Sequence, residues 1–220
     1  MTRLFVATGN PGKLAEFRAL LVPAVPGLEL VGAEAVAGWT EPVEDGDSFT
    51  SNALIKARAG MRASGLATLA DDSGICVDAL NGMPGLFSAR WSGRHGDAKA
   101  NRRLLLDQLR DVPAARRGAH FTAVVALVTP DGREQTTEGT WPGRIAVEER
   151  GASGFGYDPV FLPADGAGYS SAELDPDLKD SISHRGLAVT AALPSLRALV
   201  AAPSTVDRSA GGNTHRVSAS

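Results

Sequence analysis

The chain has 220 residues, of which 43% are hydrophobic and 21% charged, enough apolar content for one globular domain or one domain with two lobes. A formal net charge of -3 and a pI near 5.8 argue against a general nucleic-acid binder but leave room for a local basic pocket that takes a small anion. The single cysteine, Cys76, excludes an intrachain disulfide framework, and the four histidines (His95, His120, His184, His215) lack zinc-ligand spacing.

In chain order, Arg3 to Thr8 reads as a buried strand that runs into a tight turn at Gly9-Asn10-Pro11-Gly12. Its apolar run is too short for a signal sequence, and no stretch is long enough to span a bilayer. These features predict a soluble cytoplasmic protein with neither membrane nor nucleic acid as partner. Leu14, Phe17 and Leu21 then recur at helical spacing, and Leu28 to Val31 makes a second strand. Ser48 is a suitable N-cap for a helix to about Ala63, with Phe49, Ala53, Leu54, Ala57 and Met61 available to the core. Ala67 to Ala70 is a strand expected to end at Asp71-Asp72-Ser73-Gly74.

Asn81 to Gly85 reads as a loop, and Asp97 opens a helix carrying Leu104, Leu105 and Leu109. Phe121 to Thr129 and Glu134 to Trp141 are strands joined by a hairpin at Pro130-Asp131-Gly132. A glycine-rich loop, Gly151 to Gly156, precedes a short strand at Val160 to Leu162. The last helix runs from about Arg185 to Val200, and residues 202–220 read as a disordered tail after a single two-lobed domain spanning 1–201. The pattern predicts a mixed α/β fold.

Thr8-Gly9-Asn10-Pro11-Gly12-Lys13 joins a strand to a helix, where glycines let backbone N–H groups approach phosphate and Lys13 adds a full charge. It is not a Walker A loop, because the glycine spacing differs and Leu14 stands where a magnesium-binding hydroxyl belongs. The same residues also suit an ordinary strand-to-helix turn. Metal ligands for a triphosphate must then come from carboxylates elsewhere. Glu41, Glu44, Asp45 and Asp47 form one acidic cluster, in which Glu41, Asp45 and Asp47 read as solvated loop residues. Asp71-Asp72 forms another, with a structural Asx turn as its competitor. Asn52 and Lys56 lie four apart and share a helix face, either as a surface pair or facing phosphates.

Gly154-Phe155-Gly156-Tyr157-Asp158-Pro159 sets aromatics among glycines, which suits either base stacking or core packing. Lys179 and Ser183-His184-Arg185-Gly186 gather hydrogen-bond donors near a helix start. Lys and Arg can only donate, so they favour a purine with a keto oxygen at position 6 over adenine.

Taken together and in order, these motifs resemble the inosine/xanthosine triphosphate pyrophosphatase family. Glu44 with Gly46, Asn52-Ala53 with Lys56-Ala57, Ala70-Asp71-Asp72-Ser73-Gly74 and Trp141-Pro142-Gly143 complete the series, and the match spans about Arg3 to Val200. The resemblance implies an elongated α/β fold with a long central mixed sheet flanked by helices, and two lobes with a nucleotide cleft between them. It also implies a homodimer, Mg2+ as cofactor, and hydrolysis of the purine nucleoside triphosphates ITP, dITP and XTP to monophosphate and pyrophosphate.

By the same resemblance, Thr8, Gly9, Asn10, Pro11, Gly12 and Lys13 form the triphosphate loop. Asp72 is the catalytic acceptor and a metal ligand, and Glu44 the second metal position. Ser73, Phe155, Gly156, Tyr157, Asp158, Lys179, His184 and Arg185 are substrate contacts, and Lys56 joins Lys13 at the phosphates. Three alternatives stand beside this reading: a Maf-like pyrophosphatase acting on pyrimidine or modified nucleotides, a non-catalytic nucleotide sensor, and a phosphoryl-accepting receiver domain.

Overall fold

In a computed structural model, which describes residues 1–201, six strands form one mixed sheet in the order β2-β1-β3-β4-β5-β6. The expected tail, 202–220, lies outside the described residues. Strand β1 (Thr2–Val6) pairs in parallel with β2 (Leu28–Val31) and with the start of β3 (Ala67–Val77). From β3 the sheet continues antiparallel through β4 (Gly118–Val128), β5 (Glu134–Ile145) and β6 (Phe161–Pro163).

Strand alternation sorts the side chains onto two faces. Leu4, Val6, Leu69, Ala123 and Val125 pack on one face with Phe17 and Leu21 of helix α1 (Pro11–Ala24) and with Val189 and Leu196 of helix α5 (His184–Ala201). Phe5, Ala7, Ala70, Val124 and Ala126 pack on the other face with Ala53 and Ala57 of helix α2 (Phe49–Ser64). A separate apolar cluster lies at the far end of the long strands. It joins Ile75, Val77, Phe121, Trp141 and Phe161 to Leu105 and Leu109, supplied by helix α3 (Ala98–Gln108) and its C-cap. The long strands therefore run through two packed regions.

Both predicted caps are present. Ser48 accepts from the Ser51 N–H at the start of α2, and Asp97 accepts from the Ala100 N–H at the start of α3. Helix α5 lies close on β5, where a Cβ at Gly139 would meet the His184 carbonyl and approach the Ala188 nitrogen to 2.6 Å.

The largest departure from the sequence reading is at Asp71-Asp72-Ser73-Gly74. These residues do not end a strand in an Asx turn; they lie in the middle of β3, paired with Val125, Val124, Ala123 and Thr122 of β4. The strand continues because both carboxylates find basic partners and β4 supplies an unbroken backbone ladder. Strands β4 and β5 also run longer than expected. A short helix, α4 (Pro176–Ile182), capped by the Asp175 side chain, was not anticipated.

Candidate active site

Strand β1 covers β3 only as far as Leu69, and the segment Met83–Ser88 covers it again only from Gly74 onward. Between those points one edge of β3 is open, and there a cleft of about 730 Å³ is lined by residues of both packed regions. Thr8, Gly9, Asn10, Pro11, Lys13, Glu44, Lys56, Asp72, Ser73, Phe155, Gly156, Tyr157, Asp158, Lys179, His184 and Arg185 all line it. Of the predicted site residues, only Gly12 stands behind the wall, with the Phe155 ring 2.8 Å from where its Cβ would be.

Because consecutive strand residues face opposite ways, Asp71 and Asp72 do different work. Asp71 points toward α1 and α5, where its Oδ2 meets Lys13 at 3.0 Å and accepts from the Arg185 guanidinium at 3.0 and 3.1 Å. Burial alone would raise its pKa, but Lys13, Arg185 and Lys56 hold it far below the usual carboxylate range. Asp72 points toward α2, where it accepts from Asn52 Nδ2 at 3.0 Å and lies 4.0 Å from Lys56 Nζ. Lys56 also meets Glu44 at 2.9 Å. Burial, reinforced by Glu44, raises the Asp72 pKa against the pull of Lys56 and Lys13. A raised pKa makes a carboxylate a better proton acceptor.

The phosphate loop differs from expectation in one respect. Its N–H groups already have acceptors: Thr8 Oγ1 for Asn10, and Asn10 Oδ1 for Gly12 and Lys13. Glu41 Oε1 accepts from Gly9 at 2.6 Å. The Asn10 bonds cap α1, so a phosphate oxygen reaches Gly9 by displacing the exposed Glu41 carboxylate rather than by entering an open cradle.

On the opposite side, Lys179 on α4 is shared between Asp158 at 2.9 Å and Glu16 at 3.1 Å. Asp158 also accepts from the Phe155 N–H at 2.8 Å, fixing the glycine-rich loop. Arg185 bonds Asp71, Ser73 Oγ and Glu16, which occupies four of its five N–H donors. The Phe155 ring stands 5.2 Å from Lys179 Nζ and 5.8 Å from Arg185 Cζ, at the cleft wall. Tyr157, by contrast, is buried and donates to the Ser88 carbonyl at 2.9 Å, so it packs and does not stack. His184 stacks on Phe121 at 4.6 Å, and burial first, then Arg185, lowers its pKa well below the ordinary value, leaving it neutral.

A model of the Ham1 family matches residues 4–195, nearly the whole described chain. The chain belongs to the Ham1 family. It is 58% identical to the dITP/XTP pyrophosphatase of Leifsonia xyli subsp. xyli over 199 residues, which is 90% of this chain and 98% of that one. Among solved structures, it resembles the nucleoside-triphosphatase, or dITP/XTP pyrophosphatase, of Mycobacterium abscessus, with 54% identity and a TM-score of 0.70 over 88% of this chain and 100% of that one. A HAM1 protein from Coxiella burnetii matches with 35% identity and a TM-score of 0.79 over 89% of this chain and 98% of that one.

The charge balance of the cleft bears on a metal. Five basic side chains (Lys13, Lys56, Arg90, Lys179, Arg185) and five acidic ones (Glu16, Glu41, Glu44, Asp72, Asp158) line it, so the protein alone does not offset a triphosphate. Among the described residues no group of three or more His, Cys, Asp or Glu converges to hold an ion unaided. Asp72 and Glu44, drawn together around Lys56, suit a magnesium ion, which takes one or two carboxylates and completes its shell with water and substrate phosphate.

Sequence reading missed Glu16, which couples Lys179 to Arg185, although its spacing from Lys13 placed both on one face of α1. It also missed Arg102, which donates to the Gly156 carbonyl at 2.7 Å from the far side of the cleft. No local pattern pointed to that contact, because α3 and the glycine-rich loop meet only in the fold.

Proposed function

We infer that the cleft hydrolyses ITP, dITP and XTP to the monophosphate and pyrophosphate, a reading supported by close relatives that are named dITP/XTP pyrophosphatases. The observation that carries the mechanism is Asp72, a carboxylate of raised pKa at the open edge of β3, held by Asn52 and flanked by Lys56 and Glu44. In this reading a water in the cleft gives its proton to Asp72 and forms a bond to the α-phosphorus. The bond from the α-phosphorus to the bridging oxygen breaks, and pyrophosphate leaves. Lys13 and Lys56 bind the β- and γ-phosphates and offset the charge that develops on the leaving group. Magnesium held by Asp72 and Glu44 would supply further compensation at the phosphate oxygens.

Base choice follows from donors left over. Lys179 and Arg185 each keep one N–H after serving their carboxylates. A keto oxygen at position 6 accepts from such donors, whereas the amino group of adenine leaves them unpaired at about 1–3 kcal/mol, roughly tenfold or more in preference. Phe155 provides the stacking surface. A homodimer belongs to this reading through the resemblance in the motifs, and a cytoplasmic location through the single cysteine and the short N-terminal apolar run. Among the described residues no helix is long and apolar enough to cross a membrane.

The test is pyrophosphate release from ITP, dITP, XTP, GTP, ATP and dUTP, with magnesium and with EDTA. Magnesium-dependent release favouring ITP, dITP and XTP supports the reading. Release from dUTP alone moves the chain to pyrimidine chemistry, and tight ITP binding without release makes it a sensor.

A further inference from the structure

Each basic group of the phosphate and base walls is already paired. Lys13 meets Asp71, Lys56 meets Glu44, Lys179 meets Glu16 and Asp158, and Arg185 meets Asp71 and Glu16. Arg90 is different. It ends the 3-10 segment Gly85–Arg90 and lines the cleft half-buried, with no ion pair or side-chain hydrogen bond among the described residues. Its guanidinium lies 5.2 Å over the ring of Phe87, a contact that steadies the side chain without neutralising its charge.

The backbone around Arg90 is held firmly. Buried Asn101 donates to the Ala89 carbonyl at 3.2 Å and accepts from both the N–H and the hydroxyl of Ser92 at 2.7 Å, gripping the chain on either side. Ser88, two residues before, accepts from the Ile75 N–H at 2.9 Å, and its carbonyl accepts from Tyr157. Ser88 thereby closes the edge of β3, and with Asn101 it fixes the backbone on both sides of Arg90. Arg90 immediately precedes Trp91, which packs with α3, whereas Lys13 and Lys56 sit on α1 and α2.

The geometry points to Arg90 as an additional substrate contact, a guanidinium that binds the triphosphate from the second wall of the cleft. A planar guanidinium pairs with phosphate oxygens through parallel N–H bonds, and here no carboxylate must be displaced first. Without Arg90 the lining holds four basic side chains against five acidic ones, so its charge is what brings the cleft to balance. This inference rests on the nucleotide-hydrolysing reading above.

The experiment compares wild type with Arg90→Gln and Arg90→Lys, using ITP and magnesium at several salt concentrations. Arg90→Gln keeps the stem over Phe87 and should raise KM about tenfold, with a smaller change in kcat. Its kcat/KM should also fall less steeply with salt, because one screened attraction is gone. Arg90→Lys should recover the salt dependence and part of the KM. An unchanged KM in Arg90→Gln overturns the inference, as does a raised KM with the salt dependence intact, which would mean Arg90 does not meet phosphate. If Arg90→Gln does not fold, Arg90→Lys decides alone: wild-type KM overturns the role of the planar fork. If wild type binds ITP but releases no pyrophosphate, the hydrolytic reading fails, and calorimetric ITP affinity of the same variants still tests Arg90.

Discussion

Asp71 and Asp72 are adjacent in sequence and opposite in role. Asp71 is the anionic centre of a buried ion cluster with Lys13 and Arg185, while Asp72 faces α2 with a raised pKa. Asp72→Asn should lower kcat by about two to four orders of magnitude while ITP binding persists, measured by single-turnover hydrolysis and calorimetry. Full activity in that variant would remove Asp72 from the mechanism. Arg185→Ala should behave differently. It strips one of two basic partners from buried Asp71 and from Glu16, which keep Lys13 and Lys179, so roughly 2–3 kcal/mol of stability should be lost in urea unfolding. A variant of normal stability that merely narrows the ITP-over-ATP preference would show that Arg185 serves the base alone. The motif residues were legible in the sequence; their pairing was not. Lys13 and Arg185 meet through Asp71 across most of the chain's length, and local spacing carries no trace of such a contact.

At the level of elements, the sequence exposed caps, turns and helices whose signals are local. Ser48, Asp97 and the hairpin at Pro130-Asp131-Gly132 all fall where their chemistry placed them. Strand β3 ran on because pairing with β4 outweighs the turn preference of Asp-Asp-Ser-Gly, and a neighbouring strand is invisible in a local window. Helix α4 escaped notice because its short stretch, Pro176–Ile182, buries little beyond Lys179. That helix carries a testable cost. Burial, with Glu16 adding to it, pushes the Asp180 carboxyl up to about 6 from an ordinary 3.8. The folded form therefore holds a proton that the unfolded chain releases at lower pH. The associated stability is present below the ordinary value and is lost as pH rises through about 6. Asp180→Asn should raise the melting temperature at pH 8 by roughly 1–3 °C, discounted for partial exposure, with no gain near about pH 3. A gain equal at both pH values would assign the effect to something other than this charge.

Across the whole molecule, β3 and β4 supply side chains to both packed regions and β5 pairs along the full length of β4, so neither region has a complete set of strands without the other. We propose that residues 1–201 form one two-lobed domain, and calorimetry should then give a single transition with matching calorimetric and van't Hoff enthalpies. Two resolved transitions would mean the lobes fold separately. The mixed sheet and its flanking helices could be read from periodicity and from the motif series, whereas the open edge of β3 could not, since it depends on where β1 stops. Strands shared by both walls also govern how the enzyme can move. Among the described residues β3 and β4 carry both walls, so a change in the gap between them has to be taken up in part by twist of a hydrogen-bonded ribbon. Such a spring resists opening in proportion to the distortion. The shared strands thus set the resting width of the cleft, and the cost of fitting a wider nucleotide is spread along the sheet instead of falling on a single hinge.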